Sequence, residues 1–200
     1  MMMQEAVRGE ERGNSDLPES TRFARKSSLF TRFRKDNRGS VAIEFALIAL
    51  PFFLLIFAVV EVTLSFTAEQ VMSNTVDDIA RQLRTGQLRT TDVSDATKLK
   101  ALICPRLLMA ATPCPDLVVD LQTYATFKTV PTTVPLTSNN DVDVSTLKVN
   151  PGGAGTINQL RIFYRWPILT DLMKTRIASI KSQGKTLLFS TATWQNEPYL

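Results

Sequence analysis

Residues Val41 to Val60 read VAIEFALIALPFFLLIFAVV, a run of twenty residues with one charge, Glu44. A helix rising about 1.5 Å per residue needs roughly twenty residues to cross a hydrocarbon core about 30 Å thick. Nothing else in the chain restricts its fate so strongly. A buried core helix of a soluble protein is the competing reading, but such helices are usually shorter and show a polar face. The flanks give an orientation. Arg22, Arg25, Lys26, Arg32, Arg34, Lys35 and Arg38 precede the run, and Glu61, Glu69, Asp77 and Asp78 follow it before the next basic residue, Arg81. Lys/Arg bias sets topology, so the head is expected in the cytoplasm and the C-terminal body outside it. A secretory signal peptide has the same basic-then-apolar order. Here, however, the run is long for one, and no clear A-x-A site follows it.

Composition removes several chemistries. The 200 residues include no histidine and two cysteines. Ser-His-Asp and Cys-His catalysis and His-ligated metals therefore fall, as do four-sulfur zinc and iron–sulfur sites. No Gly-rich phosphate loop of familiar spacing is present. The net charge of +4 divides unevenly: residues 1–39 hold nine Lys/Arg against six Asp/Glu, and the rest is nearly balanced. A body so close to neutral does not read as a nucleic-acid binder. No cofactor is expected.

Glu44 is the anomaly in the run. A carboxylate in an apolar segment costs a few kcal/mol on insertion scales and usually has a partner or a task, though near the lipid boundary that cost is reduced. Its context is Arg38-Gly39-Ser40-Val41-Ala42-Ile43-Glu44-Phe45. A basic leader ending in glycine, then small and apolar residues, a glutamate five positions after the glycine and an aromatic resemble the prepilin peptidase site of type IV pilins. The resemblance implies cleavage on the cytoplasmic side between Gly39 and Ser40. It also implies that Glu44, beside Phe45, pairs with the new N-terminal amine of a neighbouring subunit. Such a pair would compensate a buried charge, and glycine lets the backbone enter a protease cleft extended and unobstructed.

A wider stretch, RGSVAIEFALIALPFFLLIFAVVEVTLSF, resembles the TadE-like family of minor pseudopilins of the tight-adherence (Tad/Flp) pilus system. The matching positions are Arg38, Gly39, Val41, Ala42, Glu44, Phe45, Ala46, Pro51 and Glu61. The C-terminal Asn196-Glu197-Pro198-Tyr199 resembles the ends of some relatives less specifically. The long, serine- and charge-rich leader departs from the family pattern. Pro51 removes a helical hydrogen bond and should bend the helix, as a pilin-like kink or as a change that a membrane helix simply tolerates.

Beyond the run, Val62, Phe66, Met72, Val76, Ile79, Ala80 and Leu83 fall near helical spacing, and Gly86 is a stop signal. The pattern predicts one helix over 40–84, with an apolar stripe that must meet either the chain's own body or neighbouring subunits. A short helix is expected around 94–103, capped by Thr91 or Ser94. Cys104 and Cys114 lie ten apart, each followed by proline. In an exported domain they suggest one disulfide, with two buried thiols as the alternative. Strands are expected over 117–124, 160–166 and 187–194, a loop over 130–156 and a helix over 168–182. Phe163, Tyr164, Trp166, Phe189 and Trp194 read as an aromatic core.

The fold expectation is thus α+β: a long N-terminal transmembrane, pilin-like helix followed by a small exported domain with a few antiparallel strands. The divisions are a basic cytoplasmic leader (1–39), a transmembrane helix (40–61), its amphipathic extension (62–85) and the exported domain (86–200). The function expected from the resemblance is that of a minor pseudopilin, not an enzyme, cut by a prepilin peptidase and taking part in assembly of an adhesion pilus. It would be held by inner-membrane lipid and would meet other pilins and the inner-membrane assembly machinery. The alternative is an uncleaved single-pass envelope scaffold or binding protein. A carboxylate enzyme, for which Asp120, Asp141 and Asp143 are the scattered candidates, is the weakest reading.

Overall fold

The computed structural model describes residues 40–108 and 113–198. The chain divides into two compact units, Met1–Leu47 and Ile48–Leu200, with the boundary inside the first helix. That helix, α1, runs over Ser40–Arg84 and continues through Pro51. It is followed by α2 (Ala96–Ile103), β1 (Leu117–Tyr124), β2 (Ile157–Pro167), α3 (Asp171–Ile177) and β3 (Lys185–Gln195). The predicted α+β class and the three strands are present.

The strands form one antiparallel sheet in the order β1-β2-β3. Registers such as Val119↔Ile162 and Ile162↔Ser190 put Leu117, Val119, Leu121, Leu160, Ile162, Tyr164, Trp166, Leu188 and Trp194 on one face. Side chains alternate along a strand, so this face carries most of the sheet's apolar residues. It packs with Ala68, Met72, Val76, Ile79, Ala80 and Leu83 of α1, and with Leu99 and Ile103 of α2, as one core. The stripe on α1 is therefore covered by the chain's own body. Val62 and Phe66 do not join it: Phe66 is 67% exposed and Val62 is 40% exposed, so the buried stripe starts at Ala68.

Three further expectations need correction. The α2 cap is Asp95, not Thr91 or Ser94. Its carboxylate accepts from the Thr97 and Lys98 amides at 2.9 and 3.0 Å, and the Lys98 amide foremost holds the carboxyl below its ordinary range. The helix expected over 168–182 is only Asp171–Ile177, because Ile180 pairs with Lys185 to turn the chain into β3, with Gly184 at φ +62°. The aromatic group is split by strand alternation. Tyr164 and Trp166 meet edge to face at 6.3 Å on the α1 side, with Trp194 on that same face. Phe163 and Phe189 lie on the other face, and Phe189 is 45% exposed.

Cys104 and Cys114 form a disulfide, with Cα atoms 6.1 Å apart. Closing so short a loop contributes roughly 2–3 kcal/mol in the chain-entropy description. The segment 130–156 lies across the second face of the sheet. There Gln159 Nε2 donates to the Pro131 carbonyl at 3.1 Å and Arg165 Nε to Asp141 at 2.8 Å, and a parallel bridge between Leu121 and Val149 holds the segment along the outer edge of β1.

Candidate membrane anchor and assembly site

α1 meets different surroundings along its length, with Glu61 its first buried residue and Ala68 the start of the buried stripe. From Val41 to Val60 its side chains are exposed or half-exposed, including Phe45 at 71% and Leu55 at 63%. A water-soluble helix would not present so wide an apolar surface. Among the described residues, α1 is the helix long and apolar enough to cross a membrane. It is a candidate single-pass anchor. Glu44 is exposed in this apolar surface and has no partner among the described residues. Ser40 is the first residue of α1, while Gly39 and the basic leader lie outside the described residues.

Glu61 is the next charged residue along the helix, and it is 3% exposed. Its carboxylate accepts from the Leu169 amide at 2.6 Å, from the Thr170 amide at 3.4 Å and from the Thr170 hydroxyl. These donors precede the first turn of α3, where backbone N–H groups lack helical partners and a negative charge is favoured. Ser65, one turn further on, bonds back to the Glu61 carbonyl at 3.1 Å. Glu61 thus seats the far end of the apolar run against the loop that leaves β2.

Two more contacts hold the second half of α1. Ser73 Oγ meets Ser190 Oγ of β3 at 3.2 Å. The Glu197 amide donates to the Arg84 carbonyl at 3.0 Å, beside an exposed Arg84–Glu197 ion pair. Asp78 receives Arg106 at 2.7 Å and Arg81 at 3.1 Å, which links α1 to the turn that contains Cys104.

Residues 39–81 match the TadE-like protein family. The matched stretch begins at Gly39, takes in Glu44, Phe45, Pro51 and Glu61, and ends within the α1 portion that packs on the sheet. The resemblance read from the sequence is thereby confirmed over the anchor and the start of its seat, and a TadE-like segment points to a role related to the Tad pilus. No curated protein and no solved structure matches the chain. The sequence beyond the TadE-like segment rests on its own geometry.

The carboxylates considered for catalysis are each engaged in structure. Asp120, fully buried, takes Arg161 Nη2 at 2.7 Å and Nε at 2.8 Å, and also accepts from Gln122 and the Lys148 amide. It is a paired core charge. Asp141 is bound by Arg165 Nε at 2.8 Å. Asp143 caps the short turn at Ser145, and the Ser145 side chain foremost holds its carboxyl below the ordinary range. Among the described residues no three His, Cys, Asp or Glu side chains gather as a metal site. Sequence reasoning missed what Glu61 and Asp120 do. Glu61 was legible as an acid beyond the run, but its partners lie more than a hundred residues away. Asp120 carried a signal, a lone charge between apolar residues of a strand, which usually demands a partner.

Proposed function

We propose that the chain is a minor pseudopilin of a Tad/Flp adhesion pilus, with a structural role in assembly and none in catalysis. The observation that carries this is the TadE-like match, which starts at Gly39, directly before the helix that bears Glu44 on an exposed apolar surface. A prepilin peptidase cuts between Gly39 and Ser40. The anchor sits in the bacterial inner membrane with its N-terminus cytoplasmic and its C-terminal domain periplasmic, and meets other pilins through residues 41–60. Glu44 has no partner within its own described chain, so an amine brought by a neighbour would remove the cost of an unpaired acid in lipid. Pro51 bends the anchor for that packing.

The test replaces Glu44 with alanine in a strain dependent on this chain for its pili. Processing and membrane insertion should persist, while the number of assembled fibres falls on the order of tenfold or more, as expected when a buried charge loses its partner. Restoration by Glu44→Asp but not by Glu44→Gln would mark charge as the requirement. Normal piliation with Glu44→Ala would favour the uncleaved anchored scaffold instead.

A further inference from the structure

We infer that the connection from β2 to β3, residues 168–184, lies on the surface of the membrane that holds α1 and binds anionic lipid headgroups there. This contact presupposes that residues 41–60 are a membrane anchor, and it adds a second hold on lipid, made by the domain itself.

Glu61 directly follows the apolar run, so it marks the level at which the lipid ends. Its bonds to the Leu169 and Thr170 amides put the start of the connection at that level. The rest of the connection stays near it. Ser73 lies beside Ser190 and Arg84 beside Glu197, so β3 runs in the same direction as α1, away from the lipid. The start of β3 is therefore its lipid-proximal end, and its antiparallel partner β2 finishes at that same end, with Pro167 opposite Lys185. Residues 168–184 join the two and close the sheet on its lipid side.

This side is apolar and basic at once. Leu169 is 59% exposed and Ile177 is 38% exposed. Met173, half-buried, stands one helical turn before Ile177 on the same side of α3. On α1, Val62 and Phe66 are exposed just past the apolar run, and Phe66 lies ~9 Å beyond Val60 at the helical rise, about the depth of a headgroup layer. The boundary between headgroups and acyl chains takes up such side chains, which water does not favour.

The connection holds Lys174, Arg176 and Lys181 against one acid, Asp171. Arg176 and Lys181 are exposed and enter no ion pair among the described residues. Lys174 reaches Asp171 at 2.6 Å, but the pair is exposed, and such pairs hold weakly. Asp116 and Asp141, next to this end of the sheet, are already held by Lys185 and Arg165. Cations with apolar neighbours at a lipid boundary suit phosphate-bearing headgroups: the apolar side chains dip and the long basic ones reach the phosphates. A bilayer is the occupant because it already surrounds the helix to which Leu169 is bonded, and any other partner would have to displace it.

The full chain is reconstituted in vesicles of phosphatidylcholine, with and without phosphatidylglycerol. A nitroxide label is placed in turn at Leu169→Cys, Ile177→Cys, Leu55→Cys in the anchor, and Phe127→Cys. Phe127 is exposed and shares a hollow with Arg84 and Glu197 at the far end of β3, so it serves as the water reference. Spin resonance reads collisions with oxygen, which enters lipid, and with a nickel chelate, which stays in water. With phosphatidylglycerol present, labels at 169 and 177 should meet the chelate on the order of fivefold less often than the label at 127, and oxygen more often. Arg176→Glu combined with Lys181→Glu should reduce this protection to the level seen in phosphatidylcholine alone. Labels at 169 and 177 as open to the chelate as the label at 127, with the label at 55 shielded, would overturn the inference and leave the anchor standing. Shielding from both reagents, which marks contact with protein, would overturn it too, as would protection that survives the charge reversal. A label at 55 open to the chelate would remove the anchor and this contact together.

Discussion

Glu61→Ala is expected to destabilise the unit that spans Ile48–Leu200 by about 2–4 kcal/mol, the range for stranding buried donors that have lost a charged acceptor. The variant leaves the Leu169 amide, the Thr170 amide and the Thr170 hydroxyl facing an empty space inside the protein. Glu61→Gln keeps one acceptor oxygen but brings an NH₂ group toward donors, so its loss should fall between wild type and alanine. Thermal unfolding in micelles, followed through the buried Trp166 and Trp194, gives the size of the loss. Amide exchange gives its place: Leu169 and Thr170 should exchange faster than the centre of β2. If Glu61→Ala left stability and these two amides unchanged, the seat of the anchor would lie elsewhere.

Asp120→Ala should be more damaging still, about 3–5 kcal/mol, because it leaves the Arg161 guanidinium buried without its counter-charge. Arg161 is 8% exposed, and its other contact, to the Thr133 carbonyl, is long at 3.5 Å. The Lys148 amide also loses its acceptor, so the segment that crosses the second face of the sheet should loosen along with the core. The diagnostic comparison is the double variant Asp120→Leu with Arg161→Met. Replacing a buried pair by apolar residues of similar volume is often near neutral. The double variant should therefore recover most of the stability that the single one loses, in a denaturant titration of each. A double variant as unstable as Asp120→Ala would mean that the pair contributes by more than mutual compensation.

Much of this architecture was legible because it depends on local pattern. A twenty-residue run with a single charge marks a candidate spanning helix, alternation at 117–124 specifies a strand, and Gly39, Glu44 and Phe45 at fixed spacing carried the family resemblance. What the sequence hid depends on contacts distant in the chain. Phe66 has the helical spacing of the core stripe, yet the sheet ends short of it and the residue stays exposed. Ile168 to Ser182 has helix-forming residues, but the antiparallel return at Ile180 and Lys185 overrides their propensity. The aromatic residues were legible as apolar but not as divided between faces, since the division follows from the register of β3 on β2. Asp120 could be read as an oddity within its strand. That Arg161 opposes it follows only from the pairing of β1 with β2.

The central claim is that the TadE-like helix begins, in the finished protein, at the bond after Gly39. Sequencing the N-terminus of the membrane-associated protein, isolated from cells that contain a prepilin peptidase, tests it most directly. The account predicts Ser40 as the first residue, with the full leader retained when the peptidase is removed. A protein that keeps its arginine-rich leader in the presence of the peptidase, or one that begins near Ala68, would contradict it.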